Sequence, residues 1–212
     1  MRIIAGTLRG RRLSCPAGLA LRPTSDRLKE TLFNILAPRM AGCAFLDLFA
    51  GSGAIGLEAH SRGASPVVLA EMEARSLQCL HDNLTRCGVR EALRVLPMSS
   101  DKALARLSGE GIRFDLIFLD PPYGQTALYQ QTLEAIDEKG LLAPDGLVIA
   151  EHPARCPLEE LYGGLQQTRR HRVGDSGLSF YSRSVPPMTA EKEEEMEKRN
   201  ELSDRLLPSE SE

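Results

Sequence analysis

The sequence contains no Cys-x-x-Cys pair, and its five cysteines, at positions 15, 43, 79, 87 and 156, are odd in number. A disulfide framework and a structural zinc site are both disfavoured, and a reducing, cytoplasmic compartment fits best. His60, His81, His152 and His171 form no ligand spacing, so no metal is expected. No apolar run approaches the ~20 residues needed to span a bilayer, and Met1-Arg2-Ile3-Ile4-Ala5-Gly6 lacks the long apolar core of a signal peptide. A membrane partner is therefore not expected. What is present, over 212 residues, suffices for one sizeable domain with small additions.

The formal net charge of −3 conceals an uneven distribution. Arg2, Arg9, Arg11, Arg12, Arg22, Arg27, Lys29 and Arg39 stand against only Asp26 and Glu30 in the first forty residues. From Val185 onward acidic residues outnumber basic ones, with few apolar residues among them. The first end suits a polyanion and the last does not. The division expected is a basic arm with a leading helix over 1–40, an α/β domain over 41–184, and an acidic, disordered tail over 185–212.

Leu46-Asp47-Leu48-Phe49-Ala50-Gly51-Ser52-Gly53-Ala54-Ile55-Gly56 organises the rest. Cys43 to Leu48 is apolar apart from Asp47, which suits a strand buried on both faces of a parallel sheet. The glycines then permit positive φ and let a ligand lie against bare backbone, while the helix beginning near Ala54 points its free amides at that ligand. Asp47 needs partners inside an apolar strand, either loop amides or a ligand ammonium group.

Further strands are expected at Val67–Ala70, Arg94–Leu96, Phe114–Leu119 and Leu147–Ala150, separated by helices over Ala54–Arg62, Glu73–Cys87, Asp101–Leu107 and Ala127–Lys139. Gln166–Val173 and Leu178–Ser184, joined by Gly174-Asp175-Ser176-Gly177, read as a closing antiparallel hairpin. The result is an α/β, doubly wound, mostly parallel sheet of seven strands. At the front, Arg2 to Pro16 reads as a basic hairpin or extended arm. A helix follows, with Thr24 or Ser25 as N-cap and Leu28, Leu32, Ile35 and Leu36 on one face, stopped by Pro38. Right-handed crossovers bring the glycine loop, Glu71 and Asp120 to one rim.

The glycines at 51, 53 and 56 also spell the dinucleotide fingerprint, with Glu71 twenty positions after Gly51 and able to accept ribose hydroxyls. Asp120-Pro121-Pro122-Tyr123 has no use in a nicotinamide oxidoreductase. An exocyclic amine on a base ring is a poor nucleophile because its lone pair is delocalised. The Asp120 carboxylate and the Pro121 carbonyl can each accept one of its two hydrogens, which localises the lone pair on nitrogen. Pro121 and Pro122 hold the turn rigid, and Tyr123 offers a flat face for stacking. The glycine loop with Asp-Pro-Pro-Tyr resembles S-adenosylmethionine methyltransferases that modify exocyclic amines. Alternatives remain open: adenine N6 methylation, and a non-catalytic RNA-binding module with a relic cofactor pocket.

Arg2-Ile3-Ile4-Ala5-Gly6 with Arg9-Gly10-Arg11, Arg22-Pro23-Thr24 to Asn34, Asp47 to Gly53, Glu58-Ala59-His60-Ser61-Arg62-Gly63-Ala64 and Asp120 to Tyr123 together resemble the RsmD family over about residues 1–184. These are bacterial class I, Rossmann-like methyltransferases of small-subunit ribosomal RNA that act on a guanine N2. The resemblance implies S-adenosylmethionine as cofactor and the assembled or nearly assembled 30S subunit as partner; a monomer is the default expectation because no strand edge or coiled-coil repeat in the sequence suggests otherwise. It implies that Asp47, Phe49, Ala50, Gly51, Ser52 and Gly53 hold the methionine part and Glu71 the ribose. Ser99 stands closest to the position that contacts adenine. Asp120, Pro121, Pro122 and Tyr123 receive the target base, and Arg2, Arg9, Arg11, Arg12 and Arg22 bind rRNA.

Overall fold

The computed structural model describes residues 1–15, 25–122 and 126–183. Thr24, Arg22, Tyr123 and the tail from 185 lie outside the described residues.

Helix α1 spans Asp26–Leu36, and the Leu28 amide donates to its N-cap, Ser25 Oγ, at 3.1 Å. Leu28, Leu32, Phe33 and Leu36 are buried on one face. The α-helix gives way to a single 3-10 turn, Ala37–Arg39, at Pro38. Alternation then begins: β1 Phe45–Asp47, α2 Ala54–Ser61, β2 Val67–Glu71, α3 Ala74–Cys87, β3 Leu93–Pro97, α4 Ser100–Gly109, β4 Phe114–Leu119, α5 Thr126–Glu138 and β5 Leu142–Pro153. Three antiparallel strands close the sheet: β6 Leu161–Tyr162, β7 Leu165–Val173 and β8 Ser176–Arg183.

The strand order is β3-β2-β1-β4-β5-β8-β7-β6, with the first five parallel. The described sheet has eight strands rather than the expected seven. The extra one, β6, is two residues long, too short to show any alternation. It is created by a tight turn in which Gly163 has φ +58° and the Gly164 amide donates to Asp137 Oδ2 at 2.6 Å. Strand β5 also starts earlier than its apolar stretch, because Leu142 pairs with Phe114 before the register shifts.

Each face of the sheet carries its own core. Phe45, Leu69, Phe118, Ile149 and Phe180 pack with α1, α2 and α3, whereas Leu46, Ile117, Val148 and Tyr181 pack with α4 and α5. Side chains alternate along a strand. Asp47, Asp120 and Glu151, two residues beyond Phe45, Phe118 and Ile149, therefore follow the first face.

Helix α2 is buried on nearly every side, His60 being the residue only partly covered. The N-terminal arm supplies its outer cover. Arg2 and Arg12 form an antiparallel bridge, and the Ile3 amide donates to the Arg11 carbonyl at 3.0 Å. Fully buried Glu58 accepts the amides of Ile4 (2.8 Å) and Ala5 (3.0 Å) and the Arg62 Nε–H (2.8 Å). Its other ionic neighbour is the buried Lys29 ammonium at 3.9 Å, which also donates to the Arg2 carbonyl. Burial lowers the Lys29 pKa, and the Glu58 charge works against that shift. Gly6 is required at the joint, since a Cβ there would lie 1.7 Å from the Ser61 carbonyl oxygen.

Candidate active site

The carboxyl ends of β1, β2, β4 and β5 form one rim, and four acidic residues stand on it. Asp47 closes β1 opposite Phe118 of β4, and Leu119 pairs with Ala150, so Asp120 and Glu151 are adjacent strand ends.

Asp47 is 1% exposed, and its Oδ1 has no hydrogen-bond partner among the described residues. Burial raises its pKa to about 7, the Glu71 charge adds to the rise, and amides of Phe49 and Gly56 oppose it. Asp120 is half-buried, and its pKa is raised well above the usual carboxylate range, first by desolvation and then by the charges of Glu151 and Asp47. Carboxyl groups crowded in this way at low exposure favour a ligand that carries positive charge.

The glycine loop is shaped as its sequence required. Gly51 and Gly53 adopt φ of +54° and +80°, and Gly53 is the N-cap of α2. A Cβ added at Gly51 would meet nothing within 4 Å, so the backbone there borders open space. Gly56 serves packing instead, because a Cβ there would lie 2.1 Å from Leu69 Cδ2. The Ala50 amide donates to the Ala70 carbonyl at 3.0 Å, which ties the loop to β2.

Glu71 is tied to the glycine loop. Its Oε2 accepts the Gly51 amide at 2.7 Å, and its Oε1 accepts the amides of Met72 and Glu73, each at 2.8 Å. The carboxylate thus braces the glycine loop across the β1–β2 boundary. A carboxylate has about four lone-pair directions, so acceptor capacity remains for a ribose hydroxyl. Ser99 sits two residues beyond Pro97, the register partner of Glu71, as N-cap of α4. Its hydroxyl hydrogen-bonds the Asp101 carboxylate, the leading cause of a lowered Asp101 pKa, and makes no capping bond.

Pro121 is buried and Pro122 exposed at the end of β4. Phe49 and Ser52 flank the loop, partly exposed, and Ala50 is buried. In the arm, Arg2, Arg9, Arg11 and Arg12 are all exposed, and Arg2 also faces Asp26 at 3.6 Å.

Two residues that sequence reasoning passed over belong to this description. Glu151 lies within β5 directly after the apolar run Leu147–Ala150, which is a readable signal. It is 6% exposed and accepts Ser176 Oγ–H at 3.2 Å. Asn83, fully buried on α3, accepts the Ser14 amide at 2.8 Å and donates to the carbonyls of Ser14 (3.0 Å) and Ser52 (2.9 Å). It joins the arm to the glycine loop over 69 and 31 residues of sequence, and nothing local in the sequence marks it.

A doubly wound sheet with a glycine loop after β1, acidic ends on β1, β2 and β4, and an added antiparallel hairpin is the class I methyltransferase fold. Among solved structures, yhhF of Escherichia coli superposes with a TM-score of 0.76 at 33% identity, covering 88% of this chain and 99% of that one. Ribosomal RNA small subunit methyltransferase D of Escherichia coli K12 is 37% identical over 185 residues, 87% of this chain and 91% of its own length. The protein of the same name from Haemophilus influenzae is 39% identical over 160 residues, 74% and 81% of the two lengths. The model of the family described as conserved hypothetical protein 95 matches residues 1–182. The chain belongs to this family, the RsmD family of methyltransferases.

Proposed function

We propose that this protein transfers a methyl group from S-adenosylmethionine to the exocyclic N2 of a guanine in small-subunit ribosomal RNA, acting on the assembled or nearly assembled 30S subunit. The observation that carries the cofactor reading is the buried, unpartnered Oδ1 of Asp47 beside a glycine loop that borders open space. A buried carboxylate oxygen without a partner is costly, and the ammonium group of a methionine moiety would neutralise it. The names of the Escherichia coli and Haemophilus influenzae relatives support ribosomal RNA as the substrate.

S-adenosylmethionine, when bound, supplies an electrophilic methyl on a sulfonium. The remaining tasks fall to the chain. Asp47 and the loop Phe49 to Gly53 hold the methionine part, Glu71 keeps the Gly51 amide in place and accepts ribose hydroxyls, and Ser99 borders the adenine. Asp120 and the Pro121 carbonyl accept the two hydrogens of the target amine and aim its lone pair, while Tyr123 stacks on the base. Desolvation and two neighbouring carboxylates make Asp120 a stronger proton acceptor than a solvated aspartate. That suits it to receive the proton the methylated nitrogen must lose. The exposed arginines of the arm hold the RNA backbone. The target base must leave its stack to enter, so an unpaired or flipped guanine is expected.

The test is transfer of labelled methyl to small subunits from cells lacking this protein, beside naked rRNA and duplex DNA, with Asp120→Ala as control and nucleoside analysis of the product. N2-methylguanosine on the particle, lost in the variant, is the expected result. Methyladenine, or label on DNA, would overturn the substrate assignment.

A further inference from the structure

Strand β7 carries the densest basic run outside the arm, Arg169-Arg170-His171-Arg172. Among the described residues the strand is an edge over most of its length, because β6 pairs only with Leu165 and Gln166. All three arginines are exposed. Each guanidinium is oriented by a neutral group: Arg170 Nη2–H donates to the Leu158 carbonyl (3.0 Å), Arg172 Nε–H to the Gly174 carbonyl (2.9 Å), and Arg169 lies 5.9 Å from the Phe180 ring centroid. Such contacts leave further N–H groups on every fork for an anion.

The sheet register places this run against the candidate active site. Glu151 pairs with Leu178, and Leu178 pairs with His171, so Asp120, Glu151, Leu178 and His171 stand in one row across four strands. Three strand spacings of ~4.8 Å put His171 about 14 Å from Asp120, within two or three nucleotides of a base held there. Arg172 lies one residue nearer the rim, beside the turn that returns into β8, and the exposed Arg155 follows β5 on the same rim. Arg169 points to the face that carries Asp47 and Asp120, as its contact with Phe180 requires, whereas Arg170 and Arg172, out of phase with it, point to the other face, where Arg170 meets Leu158. Helix α1 packs against β7 on that face and reaches back to the arm through Arg2 and Asp26. The acidic residues nearby are Asp175 in the turn, and Glu159 and Glu160, whose carbonyls accept the Tyr181 hydroxyl and the Gln167 amide away from the rim.

We infer that Arg169, Arg170 and Arg172, spread over both faces of this edge strand, form a second RNA-backbone contact beside the cleft and separate from the N-terminal arm, so that the substrate strand is held at two places near the base being modified. This inference rests on RNA being the substrate. Charged residues on an edge strand also block edge-to-edge pairing of sheets, and that role is served by either sign of charge. The two roles therefore respond differently to substitution.

The experiment compares wild type with triple variants in which all three arginines become Gln, Lys or Glu. It measures affinity for small-subunit rRNA as a function of salt, KM for RNA, kcat, and S-adenosylmethionine affinity. Losing three phosphate contacts should reduce the slope of log affinity against log salt by about 2. KM for RNA should rise at least about tenfold in the Gln and Glu variants, with cofactor affinity unchanged. The Lys variant should regain most of the binding, since phosphate recognition by a point charge survives. A folded Gln variant with wild-type slope and KM overturns the inference, as does a Glu variant that binds RNA as well as the Lys variant. If a triple variant melts early, Arg172→Gln alone should still remove about one slope unit, and an unchanged slope there is equally fatal. Wild-type protein that binds no RNA would overturn the substrate reading as well, whereas methylation unaffected by the Gln substitutions would overturn the β7 surface alone.

Discussion

The most direct consequence of the buried Asp47 is that cofactor affinity should depend on pH. Its pKa of about 7, against an ordinary 3.8, means that without a cationic partner the neutral form is favoured by about 4 kcal/mol relative to water. Binding an ammonium-bearing ligand selects the ionised form. About one molecule in ten is ionised at pH 6 and about nine in ten at pH 8, so affinity should rise about tenfold over that interval and then level off. Binding should release close to one proton at pH 6 and almost none at pH 8. The linked effect on the free protein has the opposite sign. A carboxyl whose folded pKa is raised binds its proton more tightly in the native state, so its contribution to stability is lost as pH rises from about 4 to about 7. Titration calorimetry with S-adenosylmethionine at pH 6, 7 and 8, in two buffers of different ionisation enthalpy, measures affinity and proton release together. Asp47→Asn should bind more weakly and with less pH dependence. Wild-type affinity that is flat or falls from pH 6 to 8, without proton release, would refute the assignment of Asp47 to a cationic group.

Three further outcomes follow from the packing. Glu58→Ala strands two arm amides and leaves the buried Lys29 ammonium with Asp26 as its ionic partner, and should cost about 3–5 kcal/mol in chemical denaturation. Gly56→Ala drives a methyl to 2.1 Å from Leu69 Cδ2 and should destabilise by about 1–3 kcal/mol, read as a lowered denaturation midpoint. Replacing Arg9, Arg11 and Arg12 with alanine should flatten the salt dependence of RNA binding by about 2 slope units without moving the denaturation midpoint, since all three side chains are exposed.

Much of this fold was legible because its central strands are mostly apolar runs with acidic residues at their carboxyl ends, and because Gly53 and Gly88 stand where helices start and stop. The eighth strand was not, since Leu161 and Tyr162 pair only because Gly163 turns and Asp137 anchors that turn from α5. The loop and Asp120 could be located from local spacing alone. The proton affinities of Asp47 and Asp120 could not, for they arise from burial and from carboxylates that are near only in the folded sheet. The same holds for Glu71, whose hold on Gly51 crosses from one strand to the next. Glu58 and Asn83 lay furthest from view: one is an acid in a mostly apolar helix, the other an amide on an ordinary one, and both act on segments more than thirty residues away.

The arm is stitched to α2 by Glu58, Ser61 and Gly6, and to the glycine loop through Asn83, so local opening cannot free one from the other at low cost. Amide hydrogens of Ile4, Ala5, Thr7 and Leu8 are held by groups on α2, and they should therefore exchange with solvent at rates set by that helix. In such a molecule the N-terminal arm and the glycine loop should melt as a single cooperative unit.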